Sequence, residues 1–257
     1  MNLQLDRSER IIAIIKTLPE SKLVWIEQVA RVLSTSSKFT LVNETFLTSE
    51  WVAAFGDGLL IHHAFSAEPF TKDKFEHSIV QTAKIIGLKA DFASKGNRGH
   101  DITIGSTKIS LKTQADKNIK NETLWISKYM ELGKGEWSDK LEQLESLTTM
   151  FLEHLKESEK ILVLRCLKKG PLWHYELVEI PKSILEKSQS GKFEMKFDSR
   201  QNPKPGYCHV KNENSELDFQ LYFDGGSERK LQIKNLRKSL CIVHAEWYFE
   251  LNSLNEL

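Results

Sequence analysis

Gly99-His100-Asp101-Ile102-Thr103-Ile104-Gly105-Ser106-Thr107-Lys108-Ile109-Ser110-Leu111-Lys112-Thr113-Gln114 is written as two short strands joined by a tight turn. Alternation of period two puts Ile102 and Ile104 on one face and Asp101 and Thr103 on the other. In the second strand Ile109 and Leu111 share a face, and Ser110 and Lys112 share the opposite one. Gly105-Ser106 supplies the turn. Folding the strands back brings Asp101 and Lys112 together on one polar face. A carboxylate beside a lysine at converging strand ends suits metal-assisted phosphodiester cleavage. That reaction needs an in-line water and a hard cation that neutralises the charge growing on the phosphorus oxygens. The plainer alternative is a surface ion pair across a hairpin.

The flanking segments supply the rest of the expected fold. Apolar residues in Glu9–Lys16 and Val24–Leu33 predict two helices separated by Leu18-Pro19-Glu20-Ser21. Thr48-Ser49-Glu50 reads as a helix start ahead of Trp51, Val52 and Phe55, with Gly56-Asp57-Gly58 breaking that helix. Phe75, Ile79, Ala83 and Ile86 fall near one face of a helix over Asp73–Ile86, which Gly87 stops. After the hairpin comes a strand at Thr123–Ser127, then an amphipathic helix from Ser138 to Glu157, with Ser138 as its cap. Two apolar strands follow, Lys160–Leu167 and Leu172–Ile180, and beyond Lys192 the chain reads as short strands and turns. The β-β-β-α-β order predicts an α/β fold: a mixed central β-sheet flanked by helices. Residues 1–70 form a helical N-terminal part, 71–190 the core and 191–257 a β-rich part.

Composition narrows the class. The chain has 257 residues, 40% of them hydrophobic, and no apolar run approaches the roughly 18 residues of a membrane span. Met1-Asn2-Leu3-Gln4-Leu5-Asp6-Arg7 is charged too early for a signal peptide. Cys166, Cys208 and Cys241 are an odd number without paired spacing, which excludes a disulfide framework and predicts a reducing cytoplasm. Net charge is only +1, but Lys95–Lys134 holds 8 Lys/Arg against 4 Asp/Glu, and Arg200–Lys238 holds 8 against 5. Positive charge thus gathers around the hairpin and in the C-terminal part, as two edges of a DNA-binding cleft would require. Chance clustering on solvated faces gives the same counts. There is no Gly-x-Ser-x-Gly elbow and no phosphate-binding Gly-rich loop with Lys-Ser/Thr. His62 and His63 are adjacent and point apart on a regular element, which favours packing over metal ligation.

Asp101 is the first candidate ligand for Mg²⁺, and the backbone carbonyl of Leu111, beside the facing strand end, is another. Lys112 would contact the scissile phosphate and orient or deprotonate the attacking water. Glu76, on the helix before the hairpin, is a second carboxylate at the edge of the helix–sheet interface; its bland alternative is a solvated helix residue. Gln114 shares the face of Lys112, and His100 is placed to contact phosphate.

The hairpin resembles the PD-(D/E)xK nuclease motif, with His100 in place of the proline and Ser110 in place of the acidic residue beside the lysine. The wider chain resembles the SmaI-type restriction endonucleases. The resemblance is carried by Phe75-Glu76-His77, Gly99-His100-Asp101-Ile102-Thr103-Ile104, Leu111-Lys112-Thr113 and Met130-Glu131-Leu132-Gly133-Lys134-Gly135-Glu136-Trp137. It continues in Val178-Glu179-Ile180-Pro181-Lys182-Ser183, Pro203-Lys204-Pro205-Gly206-Tyr207, Tyr222-Phe223-Asp224-Gly225-Gly226 and Glu228-Arg229-Lys230-Leu231-Gln232-Ile233-Lys234. It implies a restriction-endonuclease-like fold and a type II enzyme that requires Mg²⁺ and cuts double-stranded DNA. The SmaI-type site is CCCGGG, cut at its centre to leave blunt ends. A palindrome implies a twofold homodimer with one active site per strand. A cognate methyltransferase acting on the same site need not bind this chain. Asp101 and Lys112 match the metal and catalytic positions.

Guanine is best read in the major groove by Arg or Lys, and cytosine by an acceptor. Asp198-Ser199-Arg200-Gln201-Asn202-Pro203-Lys204 offers such groups: Arg200 and Lys204 first, Gln201 and Asn202 second, with Arg229 and Lys230 in a further loop. Lys117, Lys120, Lys128 and Lys134 suit backbone phosphate. Trp125 and Tyr129 read as core or interface residues. Two alternatives remain open on sequence: a DNA-binding module that has lost catalysis, which Ser110 motivates, and a repair or mobile-element nuclease.

Overall fold

The computed structural model describes residues 6–94, 96–97, 99–133 and 137–251. Helices α1 (Arg7–Ile15) and α2 (Glu20–Leu33) lead into strand β1 (Ser37–Leu41). Helices α3 (Ser49–His63) and α4 (Lys72–Ile85) follow, then strands β2 (Ala90–Phe92), β3 (Ile102–Ile104), β4 (Thr107–Gln114) and β5 (Thr123–Glu131). Helix α5 (Leu141–Lys156) precedes β6 (Lys160–Lys168) and β7 (Leu172–Glu179). After the short α6 (Lys182–Glu186) come β8 (Lys192–Met195), β9 (Gly206–Lys211), β10 (Leu217–Asp224), β11 (Lys230–Arg237) and β12 (Ile242–Glu250). Among the described residues no helix is long and apolar enough to cross a membrane.

The strands form two sheets. One has seven strands in the order β1-β12-β7-β6-β4-β3-β2, and it is mixed: β4 and β6 run parallel and the other neighbours antiparallel. The other has five antiparallel strands in the order β5-β11-β10-β9-β8. The expected α/β class with a mixed, helix-flanked sheet is the observed one. The hairpin has the expected register, with Ile102 opposite Ile109 and Ile104 opposite Thr107. That leaves Gly105 and Ser106 as a two-residue turn, and Gly105 takes φ 61°, a left-handed conformation natural to glycine.

Alternation along the strands divides the interior in two. Ile102, Ile109, Leu111, Leu162, Leu164 and Leu177 face α3 and α4, whose Phe55, Leu59, Phe75 and Ile79 are buried against them. Ile161, Val163 and Val178 face the other way, toward Leu144, Phe151 and Leu155 of α5 and the inner side of the five-stranded sheet. The central strands are covered on both faces, as their near-continuous apolar runs require. On that second face the row also carries Ser110, Lys112, Gln114, Arg165 and Glu176, all buried. α4 is well bounded. The Thr71 hydroxyl accepts from Lys74 N–H, and past its end Gly87 sits at φ 82° while Leu88 N–H returns to the Ala83 carbonyl.

Three local expectations are corrected. Gly56-Asp57-Gly58 does not break a helix, because α3 runs through it. A Cβ at Gly56 would lie 2.4 Å from the Phe39 ring, so that glycine lets β1 press on the helix rather than ending it. Ser138 does not cap α5, which starts at Leu141. Its N–H and hydroxyl both go to Gln143 Oε1 instead. The strand at Thr123 continues to Glu131 and leaves the central sheet to pair with β11. β1, unforeseen in the helical N-terminal stretch, pairs with β12 at the far edge of the larger sheet.

Candidate active site

Three elements meet at the open end of β3. Pairing between β3 and β4 stops at Ile102 and Ile109, so Asp101 stands just past the last pair, beside Ser110 and Leu111. A Cβ on Gly99, two residues earlier, would fall 2.0 Å from Glu157 Cβ. That close approach to the end of α5 fixes the entry to the strand. α4 contributes Lys72 and Glu76, one turn apart on one side of the helix.

The Asp101 carboxylate gathers these elements. Its Oδ1 accepts from Lys72 Nζ at 2.6 Å. Its Oδ2 accepts from the Leu111 N–H at 2.6 Å and the Ser110 hydroxyl at 3.3 Å. Lys112 Nζ lies 3.9 Å from the same oxygen and donates to Ser110 Oγ at 2.8 Å. Lys72 Nζ is also 3.1 Å from Glu76 Oε1, so one ammonium bridges both carboxylates. The Lys112 ammonium lies 5.2 Å from the centre of the Tyr129 ring, which is itself set edge-on against Phe151.

Burial and charge set the ionisation of the group. Burial pulls the Lys112 pKa down to about 8; the Asp101 charge resists this and Lys72 adds to it. Burial alone would raise the Asp101 pKa, but the charge of Lys112, the Lys72 hydrogen bond and the Leu111 N–H outweigh it and hold the carboxyl below its ordinary value. For Lys72, burial works against the charge, yet Asp101 and Glu76 together keep its pKa above the usual lysine value.

The donor set fits a hard divalent cation. Two carboxylates already share one positive group, and the Leu111 backbone meets Asp101 through its N–H. Among the described residues there is no cluster of three or more His, Cys, Asp or Glu. The group opens on a cleft of about 480 Å³ between Lys72, Lys112 and Thr113 and the β5 stretch from Ile126 to Glu131. Glu131 also lines a neighbouring hollow of about 410 Å³ with Gly133, Ser227, Glu228 and Arg229. The two hollows share Glu131, at the end of β5.

Asp101, Lys112, Glu76 and Leu111 are thus brought together. His100 is half-buried nearby, with Nδ1 3.1 Å from Asn97 Nδ2. Gln114 is buried, its Oε1 accepting from Arg165 Nε at 3.0 Å. The two loops singled out for base reading touch each other. Gln201 Nε2 donates to Asp224 Oδ1 at 2.9 Å and Gln201 Oε1 accepts from the Gly225 N–H at 3.1 Å, so that side chain is turned inward. A Cβ on Gly225 would lie 2.0 Å from the Pro203 carbonyl oxygen, which makes glycine necessary at this junction. Lys204 donates to the Ser199 carbonyl at 2.6 Å. Arg200 and Asn202 are exposed, and Lys230 pairs with Glu228 at 3.0 Å. Arg229 bends the chain at φ 39°. Lys117 and Lys120 are exposed on a loop whose Lys120, Asn121 and Thr123 carbonyls are held by the buried Arg165 guanidinium. Lys134 lies outside the described residues.

Sequence reasoning missed Lys72 and the loop-anchoring role of Arg165. Lys72 carried a usable signal: it is the i−4 neighbour of Glu76 on the same helical face.

The family model for SmaI, type II site-specific deoxyribonuclease, matches residues 12–249. The chain belongs to this family. Like the SmaI family at large, it is a type II restriction endonuclease, a nuclease acting on DNA. It is 49% identical over 199 residues to the type II restriction enzyme SmaI of Serratia marcescens, covering 77% of this chain and 78% of that protein. A solved restriction endonuclease in complex with substrate DNA superposes with a TM-score of 0.33 at 11% identity, over 72% of this chain and 71% of the other.

Proposed function

We propose that this restriction endonuclease makes Mg²⁺-dependent double-strand breaks at CCCGGG, cutting at the centre to leave blunt ends. It would act as a homodimer that presents one centre to each strand. The observation that carries the reading is the convergence of Asp101, Glu76 and Lys112 beside a cleft that Lys72 and Lys112 line. Asp101, Glu76 and the Leu111 carbonyl would hold the cation, which supplies Lewis-acid stabilisation of the phosphate oxygens when bound. Glu76 brings the second carboxylate that Ser110 does not.

The chain's own part is positioning. Asp101 is held in place by the Leu111 N–H and the Ser110 hydroxyl, both on its Oδ2. Lys112 contacts the scissile phosphate and orients the water. That water attacks phosphorus in line, the P–O bond to the leaving 3′ oxygen breaks, and a 5′-phosphate results. In the metal-free protein burial lowers the Lys112 pKa to about 8.

Arg200, Asn202, Arg229 and Lys230 are the proposed base readers, with Lys204 and Gln201 shaping their loop. Lys117, Lys120 and Lys134 are proposed to meet backbone phosphate, with His100 at the edge of the DNA path; Gln114, expected there from the sequence, is instead buried and held by Arg165. A methyltransferase modifying the same site would protect host DNA without touching this chain. The free thiols of Cys166, Cys208 and Cys241 suit the reducing cytoplasm.

Fragment-end mapping on a random-sequence DNA library, with and without Mg²⁺, tests the reading. Flush ends within CCCGGG, absent without the metal, are expected. Ends defined by DNA structure, or staggered ends at another sequence, would contradict it.

A further inference from the structure

Lys72 has no part in the scheme above, yet its contact to the central carboxylate is as short as that of the Leu111 N–H. Its ammonium stands 2.6 Å from Asp101 Oδ1 and 3.1 Å from Glu76 Oε1. Its side chain is 43% exposed, against 17% for Asp101, 20% for Glu76 and 9% for Lys112. Lys72 therefore reaches the carboxylates from the cleft rim and can withdraw into it, whereas Lys112 is enclosed under Tyr129. Two carboxylates converging in a part-buried site repel each other unless a positive group lies between them.

We propose that Lys72 is a built-in competitor for the divalent cation, its ammonium taking the place between Asp101 and Glu76 while the metal is absent. The inference rests on the reading of those two residues as cation ligands. An ammonium hydrogen-bonded to both acids occupies the oxygens that a metal needs, and two cations so close repel. Metal uptake is then an exchange: the ammonium leaves the carboxylates as the ion arrives. Once displaced, Lys72 remains on the cleft wall, where a phosphate passes. A purely structural ion pair has the opposite consequence. Without it the two acids would splay apart and the metal would bind less well.

Mn²⁺ binding to the full-length, DNA-free protein, followed by the electron paramagnetic resonance signal of free Mn²⁺, separates these roles. Removing one neighbouring positive charge in Lys72→Met should tighten Mn²⁺ binding by about tenfold, and Lys72→Gln should act in the same direction. Asp101→Asn should abolish binding with either residue at position 72. Unchanged or weaker Mn²⁺ binding by both Lys72 variants, in proteins that melt as the parent does, overturns the competitor role and leaves the cation reading intact. Undiminished binding by Asp101→Asn overturns both.

Discussion

Ser110 stands where the related motif carries an acid, and its hydroxyl is used twice. It donates to Asp101 Oδ2 and accepts from Lys112 Nζ, so the acid and the amine are tied together through one small side chain. A carboxylate there would add a second negative charge beside Asp101; the hydroxyl adds none, and the second charge arrives from Glu76 on α4. Lys112 is almost fully enclosed, and a buried ammonium deprived of an acceptor loses stability. Ser110→Ala should therefore destabilise the protein by about 1–3 kcal/mol in urea unfolding and slow cleavage, with DNA binding retained. Unchanged stability and cutting would show that the hydroxyl is incidental.

His63 closes α3, and its tautomer follows from its partners. Nδ1 lies 2.8 Å from the Ser66 carbonyl, which can only accept, so Nδ1 carries the proton and Nε2 accepts from Tyr175 OH at 2.8 Å. The ring stacks on Trp173 at 3.6 Å, and burial lowers its pKa to about 4. Above pH 6.5 the ring is neutral in both folded and unfolded chains and stability is complete. As pH falls from 6.5 toward 4 the unfolded chain takes up the proton first, and roughly 3 kcal/mol of stability is lost. His63→Phe should lower stability at neutral pH but flatten its decline over this interval by about one proton. An unaltered slope in urea titrations would remove His63 as the cause.

The same elements show why part of the fold was legible. The hairpin could be read because strand alternation and a two-residue turn are local properties. α4 could be read because its apolar face, its cap and Gly87 lie within one stretch. What escaped depends on partners far along the chain. Gly56 looked like a breaker because Phe39, which packs on it, belongs to another element. β5 alternates only as far as Ser127 before slipping at Ser127-Lys128, and nothing in its own residues says that it pairs with β11 rather than β4. Gln201 was read as a free reader of bases, yet its partner Asp224 is supplied by a different strand.

In the molecule as a whole the two sheets meet along a cleft. β4 of the larger sheet carries Lys112, β5 of the smaller sheet walls the cleft, and Glu131 at its end also lines the hollow beside Arg229. The proposed cutting pair, Asp101 and Lys112, and the proposed base readers therefore belong to separate sheets. Arg165, fully buried against Glu176, anchors the loop between β4 and β5 through the Lys120 and Thr123 carbonyls. In this arrangement loss of the acid–amine pair should silence the chemistry without disturbing the reading loops. The decisive measurement compares the parent with Asp101→Ala and Lys112→Ala on a plasmid bearing one CCCGGG, in Mg²⁺, scoring linear product and DNA binding side by side. Both variants should remain folded and hold the DNA while cleavage disappears. Near-native cutting by both would show that the bond is broken somewhere else.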